Sequence, residues 1–374
     1  MISPKNFYNF LIQQDIRFFT GVPDSLLKNL CFYISDHAKK NHVITANEGN
    51  AVALSIGYHL ATNKIPMVYL QNSGLGNTIN PLLSLADKDV YSIPMLLIIG
   101  WRGKPGIKDE PQHKKQGRVM LKMLKSMEIE FEIIKNSDSS REIKNKINRT
   151  VKSIKKKTIP HALVIEKDVF EDYKRINKKN VHYKLSREDA MHVILENIRT
   201  DSIIISTTGF TSRELYEYRK NKNSCNADFY TVGGMGHASQ IALGISMNKK
   251  KQVICFDGDG SVLMHMGSLA INASLNNKNF KHIVFNNGAH ESVGDQPTVG
   301  FNMDMSQIAK YSGYSLTLKA STMTQIAKAI KKIQEHKGTA FLEILVRSNT
   351  RANLSRPDKS PIQNKKQLMS LINR

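Results

Sequence analysis

Two short polar sequences, each directly after a predicted strand, carry residue types that could bind a hard metal ion. Asp257-Gly258-Asp259-Gly260-Ser261 follows the apolar run at 253–256, and Asn286-Asn287-Gly288 follows the apolar run at 283–285. Short apolar runs of this kind are typical of buried parallel strands. Mg²⁺ prefers oxygen ligands and is often shared between one or two protein groups and substrate phosphates. The spacing therefore predicts a metal site that includes Asp259 and Asn287.

The residues beside Asp259 also predict a phosphate-binding strand end. Gly258 and Gly260 allow close approach to the backbone, and Ser261 begins the next helix, whose amino end favours anions. A Gly-Asp-Gly sequence alone is common, so an incidental turn in an ordinary α/β fold is the alternative. The second motif at this separation makes the metal site the more specific interpretation.

Glu48 is a second chemical candidate, far upstream in Ile44-Thr45-Ala46-Asn47-Glu48-Gly49-Asn50-Ala51. Small apolar residues follow it, as expected for a buried helix packed on a sheet. A carboxylate at that place is poorly solvated, and ionised carboxylates are seldom buried without a partner. Either Glu48 caps the helix, favoured by the helix dipole, or it is a buried acid whose tuned pKa serves proton transfer.

The chain repeats itself weakly, which predicts two copies of one α/β unit. The segment 47–51 with its small-residue helix mirrors 234–238, and 69–74 mirrors 255–260. The strand predicted at 95–99 then mirrors the strand at 283–285. We therefore expect an α/β protein with two similar parallel-sheet domains.

Taken together, these motifs resemble the cofactor-binding sequences of the thiamine diphosphate (ThDP)-dependent decarboxylases. The resemblance implies a pyrimidine-binding (PYR) domain and a diphosphate-binding (PP) domain, without a central third domain. It implies that Asp259 and Asn287, with the carbonyl of Ala289, bind Mg²⁺. It also implies that Glu48 bonds the aminopyrimidine ring of ThDP and that the cofactor lies between two subunits of a homodimer or homotetramer.

Other segments of the second half resemble further parts of this cofactor site. Met235, which follows Gly234, corresponds to the bulky residue that supports the bent cofactor, although methionine is more often ordinary core filler. Thr208 and Gly209, after the strand predicted at 203–206, correspond to the loop that anchors the diphosphate.

Several segments resemble one branch of these enzymes, the phosphonopyruvate decarboxylases, of which sulfopyruvate decarboxylases are close relatives. They are the segments 21–25, 72–77, 109–113, 263–267 and 287–292. The resemblance implies decarboxylation of 3-phosphonopyruvate to phosphonoacetaldehyde in phosphonate biosynthesis. Asp295 stands where the family more often has glycine, and Gly234 where serine is frequent.

The resemblance also suggests residues that contact the substrate. Ser25 corresponds to a position that holds the substrate carboxylate in related decarboxylases. His113, on a predicted loop, is the expected proton relay because imidazole titrates near neutral pH; the alternative is an ordinary surface histidine. A phosphonate dianion requires cations or amide donors, for which Arg351 and Arg356 are candidates unless they belong to a basic surface segment.

Length and composition fit two domains. The chain has 374 residues, and we predict a PYR domain at 1–170, a polar linker at 171–184 and a PP domain at 185–374. Ser186 is expected to cap the first helix after the linker. The three cysteines have no metal or disulfide spacing, and no apolar run is long enough to span a membrane, so we expect a reduced cytoplasmic protein.

A formal charge of +22 raises the question of a nucleic-acid or anionic partner. Much of the excess lies at 144–157, where apolar residues recur every three or four positions, which predicts an amphipathic helix with a solvated basic face. Aromatic residues are not interleaved there, so we expect no nucleic-acid binding. A ThDP enzyme for another 2-oxo acid, a carboligase and a non-catalytic basic binding protein are the alternative functions.

Overall fold

The computed structural model describes residues 1–176, 183–222, 224 and 226–373. Contacts divide the chain into two compact units, residues 1–179 and 180–374, without a third domain among the described residues. Residues 177–182 of the predicted linker and Cys225 lie outside the described residues. Cys31 and Cys255 are buried and free of disulfides, as expected from their spacing.

The first unit alternates strands and helices. Its strands are β1 Phe19–Gly21, β2 His42–Ile44, β3 Met67–Gln71, β4 Leu96–Gly100, β5 Glu130–Ile134 and β6 His161–Ile165. Its helices are α1 Pro4–Gln13, α2 Lys28–His37, α3 Glu48–Thr62, α4 Leu75–Pro81, α5 Pro111–Ser126 and α6 Ser140–Lys157. A short 3₁₀ helix, Asn72–Gly74, joins β3 to α4.

The second unit repeats this alternation. Its strands are β7 Ile203–Ser206, β8 Asp228–Tyr230, β9 Val253–Gly258, β10 Phe280–Asn286, β11 Ala289–His290, β12 Gln296–Pro297, β13 Leu316–Ala320 and β14 Ala340–Leu345. Its helices are α7 Arg187–Asn197, α8 Phe210–Asn221, α9 Ala238–Ser246, α10 Asp259–Met264, α11 Ser268–Ser274, α12 Met305–Tyr311, α13 Met323–Glu335 and α14 Pro361–Ile372.

The two units share one sheet topology, which confirms the predicted repeat. The first sheet has the order β2-β1-β3-β4-β6-β5, and the main sheet of the second unit has the order β13-β14-β10-β9-β7-β8. With the small β11–β12 pair set aside, numbering the strands within each unit gives 2-1-3-4-6-5 in both. All strand pairs of both main sheets are parallel. The carboxyl ends of all strands in a sheet therefore lie at one edge, where ligands bind in such folds.

Each unit buries its own apolar side chains on both faces of its sheet. Inner strands such as β4 and β7 are fully buried and mostly apolar because helices cover both faces of a parallel sheet. Helix α7 begins after Ser186, whose side chain accepts a hydrogen bond from the Asp189 amide, so the predicted cap is confirmed.

Helix α6 has the predicted amphipathic form. Ile143, Ile147, Val151 and Ile154 are buried against the first sheet. Lysines of the last turn, Lys155 to Lys157, are exposed. The main basic run is therefore a solvated helix face. Among the described residues, no helix has both the length and the apolar character required to cross a membrane.

Candidate active site

Glu48 is a buried acid at the first position of α3, with 5% of its surface exposed. The side chain of Asn47 caps this helix by accepting a hydrogen bond from the Asn50 amide at 2.9 Å. The cap role considered for Glu48 is therefore taken by its neighbour. Burial raises the pKa of the Glu48 carboxyl, and the amide of Asn77, which donates to Oε2 at 2.8 Å, partly opposes that rise. The result is a poorly solvated carboxyl with a single described side-chain partner.

The turn after β3 lies directly against this carboxyl. A Cβ atom placed on Gly74 would lie 2.0 Å from Oε1 of Glu48, whereas a Cβ atom on Gly76 would meet nothing within 4 Å. Gly74 is thus required for the observed position of Glu48, and sequence reasoning missed this contact. The absence of a side chain at Gly74 is the signal that could have indicated it.

Gly74→Ala is expected to displace the Glu48 carboxylate, because the added methyl group would overlap it. Overpacking of this kind costs about 1–3 kcal/mol of folding free energy. We expect a fall of roughly tenfold or more in the steady-state kcat of the reaction proposed below, because small displacements near the reacting atoms have effects of this size. Gly76→Ala, inside helix α4, is the matched control and should leave both kcat and Tm at or above their starting values. Equal effects of the two changes would contradict the contact.

Ser25 lies in the loop after β1, and its hydroxyl accepts a hydrogen bond from Nη1 of Arg102 at 2.8 Å. Arg102 follows β4, and its guanidinium also donates to Asp109 through Nε at 2.8 Å and Nη2 at 2.5 Å. Sequence reasoning chose Ser25 but missed the arginine beside it. The position of Arg102 just past a buried strand was the available signal.

His113 belongs to the first turn of α5 and not to a loop. Its Nδ1 atom is buried and has no hydrogen-bond partner among the residues described. Burial, with the nearby charge of Arg102, lowers the pKa of His113 to about 4. The expectation that this ring titrates near neutral pH is wrong, because the ring is desolvated beside a cation. Its role in proton relay remains a prediction.

Asp259 and Asn287 lie together, as the strand-end argument predicted. Strands β9 and β10 are neighbours, with Phe285 opposite Gly258 in the register. The backbone amide nitrogen of Asn287 is 3.4 Å from Oδ1 of Asp259, and both residues are buried. Thr298 donates a hydrogen bond to Oδ2 of Asp259. Burial raises the pKa of Asp259 to about 6, because a low-dielectric surrounding disfavours the charged carboxylate.

Glu291 holds the side chain of Asn287. The side-chain nitrogen of Asn287, Nδ2, donates to Oε2 of Glu291 at 3.2 Å. The side-chain oxygen of Asn287 accepts from the backbone amide of Ala289 at 3.1 Å. Arg187, which is itself buried, bonds the same carboxylate at 3.0 Å. Because Glu291 binds the amide nitrogen, the Asn287 oxygen is fixed on the other side. Sequence reasoning did not identify Glu291 or Arg187 as part of this site.

The donors at this strand end are all oxygens, and the charged one is a buried carboxylate, which fits Mg²⁺. A second cluster lies deeper, where one possible ligand atom each from Cys255, Asp257 and His282 fall within 4.8 Å of one another. Burial raises the pKa of the Cys255 thiol, so it remains protonated. His282 lies 3.3 Å from Asp257 and 3.2 Å from the Tyr314 hydroxyl. This cluster is therefore a hydrogen-bonded part of the core.

The predicted phosphate-binding segments also meet. The hydroxyl of Thr207, beside Thr208, lies 2.8 Å from that of Ser261. Gly209 precedes α8 with a φ of +94°, a conformation that favours glycine. A Cβ atom on Gly258 would meet nothing within 4 Å, so its backbone is open to a ligand. A Cβ atom on Gly260 would lie 2.9 Å from the His290 ring, which shows how closely this turn is packed.

Met235 lies in a loop whose shape depends on the glycines around it. Gly234 and Gly236 have φ angles of +66° and +88°. Met235 is only partly buried, and it belongs to none of the core clusters, which argues against the interpretation as core filler. His237, two positions after Met235, stacks on His265 with ring centroids 4.5 Å apart.

The two arginines proposed for the phosphonate have other surroundings. Arg351 pairs with Glu188 and Glu217. Two carboxylates therefore lie beside it, and its role toward a phosphonate remains a prediction. Arg356 is exposed near the carboxyl terminus, and its role remains a prediction.

Comparison with known proteins places both halves of the chain in one class. Residues 5–128 match the thiamine pyrophosphate enzyme N-terminal TPP binding domain, and residues 206–344 match the C-terminal TPP binding domain. The fold and the site therefore define a ThDP-dependent enzyme.

Full-length relatives narrow the class. The chain is 30% identical over 358 residues to a phosphonopyruvate decarboxylase of Streptomyces viridochromogenes, covering 92% of this chain and 88% of the relative. It is 30% identical to a phosphonopyruvate decarboxylase of Streptomyces hygroscopicus, covering 96% and 92%. A sulfopyruvate decarboxylase of Methanosarcina acetivorans is 27% identical, with 88% of each chain covered. The chain belongs to the phosphonopyruvate decarboxylase family and is a ThDP-dependent carboxy-lyase of the phosphonopyruvate or sulfopyruvate type.

Proposed function

We propose that this protein converts 3-phosphonopyruvate to phosphonoacetaldehyde and CO₂ in the cytoplasm, as a step of phosphonate biosynthesis. The observation that carries the proposal is the joint presence of a buried, elevated-pKa Glu48 and a paired Asp259 and Asn287. The 30% identity to the S. viridochromogenes relative, over 92% of this chain, supports the choice of substrate.

The residues of the PP domain would hold the cofactor and its metal. Asp259, Asn287 and the Ala289 carbonyl would bind Mg²⁺. The diphosphate would lie on the open backbone of the strand end, and Met235 would support the cofactor's bend. The residues proposed for the diphosphate and its loop are Thr208, Gly209, Gly234, Gly258, Gly260 and Ser261. We assign the PYR domain to 1–170 and the PP domain to 185–374, joined by 171–184.

When bound, ThDP supplies a nucleophilic carbon and an electron sink for the loss of CO₂. Glu48 would exchange a proton with the cofactor's pyrimidine ring at a carboxyl oxygen. Its burial favours the neutral form and its contact with Gly74 fixes its direction. The Ser25 hydroxyl would bind the substrate carboxylate, and His113 stays a candidate proton relay.

Decarboxylation assays with phosphonopyruvate, sulfopyruvate and pyruvate test the proposal, in the presence of ThDP and Mg²⁺. We expect the highest kcat/KM with phosphonopyruvate. Preference for sulfopyruvate would favour the second candidate, which the relative of M. acetivorans supports. Equal turnover of pyruvate would contradict an assignment to a 3-substituted anion, and no turnover at all would favour a binding protein.

We also propose a homodimer or homotetramer in which each site combines Glu48 of one subunit with Asp259 of another. Mixing Glu48→Ala with Asp259→Ala protein should then restore part of the activity, because hybrid dimers contain one intact site. The recovery is measured by decarboxylation after subunit exchange, which mass spectrometry of mixed dimers verifies. No recovery despite exchange would show that each site lies within one chain.

A further inference from the structure

We infer that Arg102, held beside Ser25 by a hydrogen bond, forms the subsite for the anionic group on C3 of the substrate. This inference rests on the proposed function. It assigns the selection of phosphonate- or sulfonate-bearing 2-oxo acids to one cation of the first unit, a residue that the sequence motifs did not single out. The chemistry recognised is a tetrahedral oxyanion.

Arg102 lies at the sheet edge that also carries Glu48. It follows β4, and its backbone exchanges hydrogen bonds with the side chain of Asn72, at 2.8 Å and 3.1 Å. Asn72 begins the 3₁₀ helix whose Gly74 touches the Glu48 carboxylate. A continuous set of contacts therefore joins the cation to the catalytic candidate. The substrate's second charge would lie beside the reacting end of the molecule.

The loop that carries Ser25 is fixed to the same edge. Asp24 is fully buried and accepts a hydrogen bond from Gln71 at 2.6 Å. A Cβ atom on Gly100, the last residue of β4, would lie 2.1 Å from the Asp24 carboxylate. The Ser25 hydroxyl is thus held over the ends of β3 and β4. This explains how residues far apart in the sequence meet at Arg102.

The guanidinium of Arg102 is oriented and still partly exposed. Asp109 binds Nε and Nη2, and its carboxylate also accepts the amides of Gly103 and Glu110 at 2.8 Å and 2.7 Å. This arrangement turns Nη1 toward Ser25, where 20% of the arginine side chain remains exposed. A guanidinium has five N–H donors, of which the contacts to Asp109 and Ser25 use three. The remaining donors suit the oxygens of a phosphonate, which arginine binds well.

His113 gives this subsite a second polar atom. A Cβ atom on Gly103 would lie 2.0 Å from the His113 carbonyl, and one on Gly117 would lie 1.8 Å from the Gly103 carbonyl. Helix α5 is therefore pressed against the loop that follows Arg102. The buried Nδ1 atom of His113 has no hydrogen-bond partner in the described part of the chain. A neutral imidazole can donate or accept one hydrogen bond with an oxyanion without adding charge.

The decisive variant is Arg102→Gln, tested in the protein loaded with ThDP and Mg²⁺. We expect kcat/KM for phosphonopyruvate to fall by ~100-fold, mainly through KM, since charge-assisted hydrogen bonds are lost. Turnover of pyruvate, which lacks the C3 anion, should change by less than about threefold because Ser25 and Glu48 remain. Lys104→Gln is the matched control, because Lys104 is a nearby cation that pairs with Glu166 at 2.6 Å. Lys104→Gln should change neither kcat/KM for phosphonopyruvate nor the turnover of pyruvate.

Binding of 3-phosphonopropionate, an analogue that cannot be decarboxylated, gives a readout separate from turnover. Calorimetry should show its Kd weakened by ~100-fold in Arg102→Gln, while propionate binding stays unchanged. If the loss of Arg102 disturbs folding by leaving Asp109 unpaired, the double variant with Asp109→Asn removes both charges and should behave alike. An equal loss for pyruvate and phosphonopyruvate would overturn the inference, because Arg102 would then bind the shared carboxylate. A Kd for 3-phosphonopropionate that is unchanged in Arg102→Gln would also overturn the inference. Failure of the unaltered protein to decarboxylate phosphonopyruvate, with analogue binding still dependent on Arg102, would overturn the proposed function alone.

Discussion

Glu48→Gln is expected to reduce kcat by roughly 10²–10⁴-fold, the usual contribution of a positioned general acid or base. The amide keeps the size of the side chain beside Gly74 and the hydrogen bond to Asn77, but it cannot exchange a proton. We therefore expect the Kd of ThDP, measured by quenching of intrinsic fluorescence, to change only a few-fold. Steady-state decarboxylation measures the loss of turnover.

Glu142→Gln is the matched control for Glu48→Gln. Glu142 lies in the exposed capping box at the start of α6, where glutamine keeps the reciprocal hydrogen bond with Ser139. Its kcat should stay unchanged. If Glu48→Gln keeps more than about a tenth of the activity, proton transfer through this carboxyl is not part of the reaction.

Asp259→Asn is expected to separate folding stability from cofactor binding. Without ThDP and metal, the variant should be more stable than the parent at pH 7 by about 3 kcal/mol, since a raised pKa reflects an unfavourable buried charge. With ThDP and Mg²⁺ present, the order should reverse, because the parent gains binding energy that the variant loses. Thermal unfolding with and without both ligands measures the crossover.

The pH dependence fixes the sign of this effect. Burial raises the pKa of Asp259 in the folded, metal-free state from 3.8 to about 6. Between these values the folded state holds a proton that the unfolded chain has released. The stability from Asp259 is therefore fully present below pH 3.8 and is lost as the pH rises through about 6. The advantage of the asparagine variant should accordingly disappear near pH 4.

Asp304→Asn is the control for this variant, because Asp304 caps α12 and asparagine caps helices equally well. It should preserve both stability and ligand response. A Tm shift by ThDP and Mg²⁺ that is as large in Asp259→Asn as in the parent would remove Asp259 from the metal site.

The sequence was sufficient where chemistry follows from adjacent strands. Asp259 and Asn287 each end an apolar run, and parallel neighbours necessarily bring such ends to one edge. The burial of Glu48 likewise followed from the small residues after it. These predictions needed only the alternation of strands and helices, because the polar groups lie where a strand ends or a helix begins.

The sequence was insufficient where a contact depends on distant loops. Arg102 meets Ser25 because β1, β3 and β4 are side by side, an order that the apolar pattern does not reveal. Arg351 looked available for an anion, but Glu188 and Glu217 pack beside it only after folding. The pKa of His113 also depends on a cation 11 positions away in the sequence and on the burial of its ring at the start of α5.

The shared 2-1-3-4-6-5 strand order places two different side chains at equivalent positions of the two units. After the second strand, the first half carries Glu48 at the start of α3, and the second half carries Met235 in the loop before α9. The same topology thus carries an ionisable side chain in one unit and a flexible apolar side chain in the other. Because each side chain belongs to its own unit, the residue at either position can differ without a change in the strand order of the other unit.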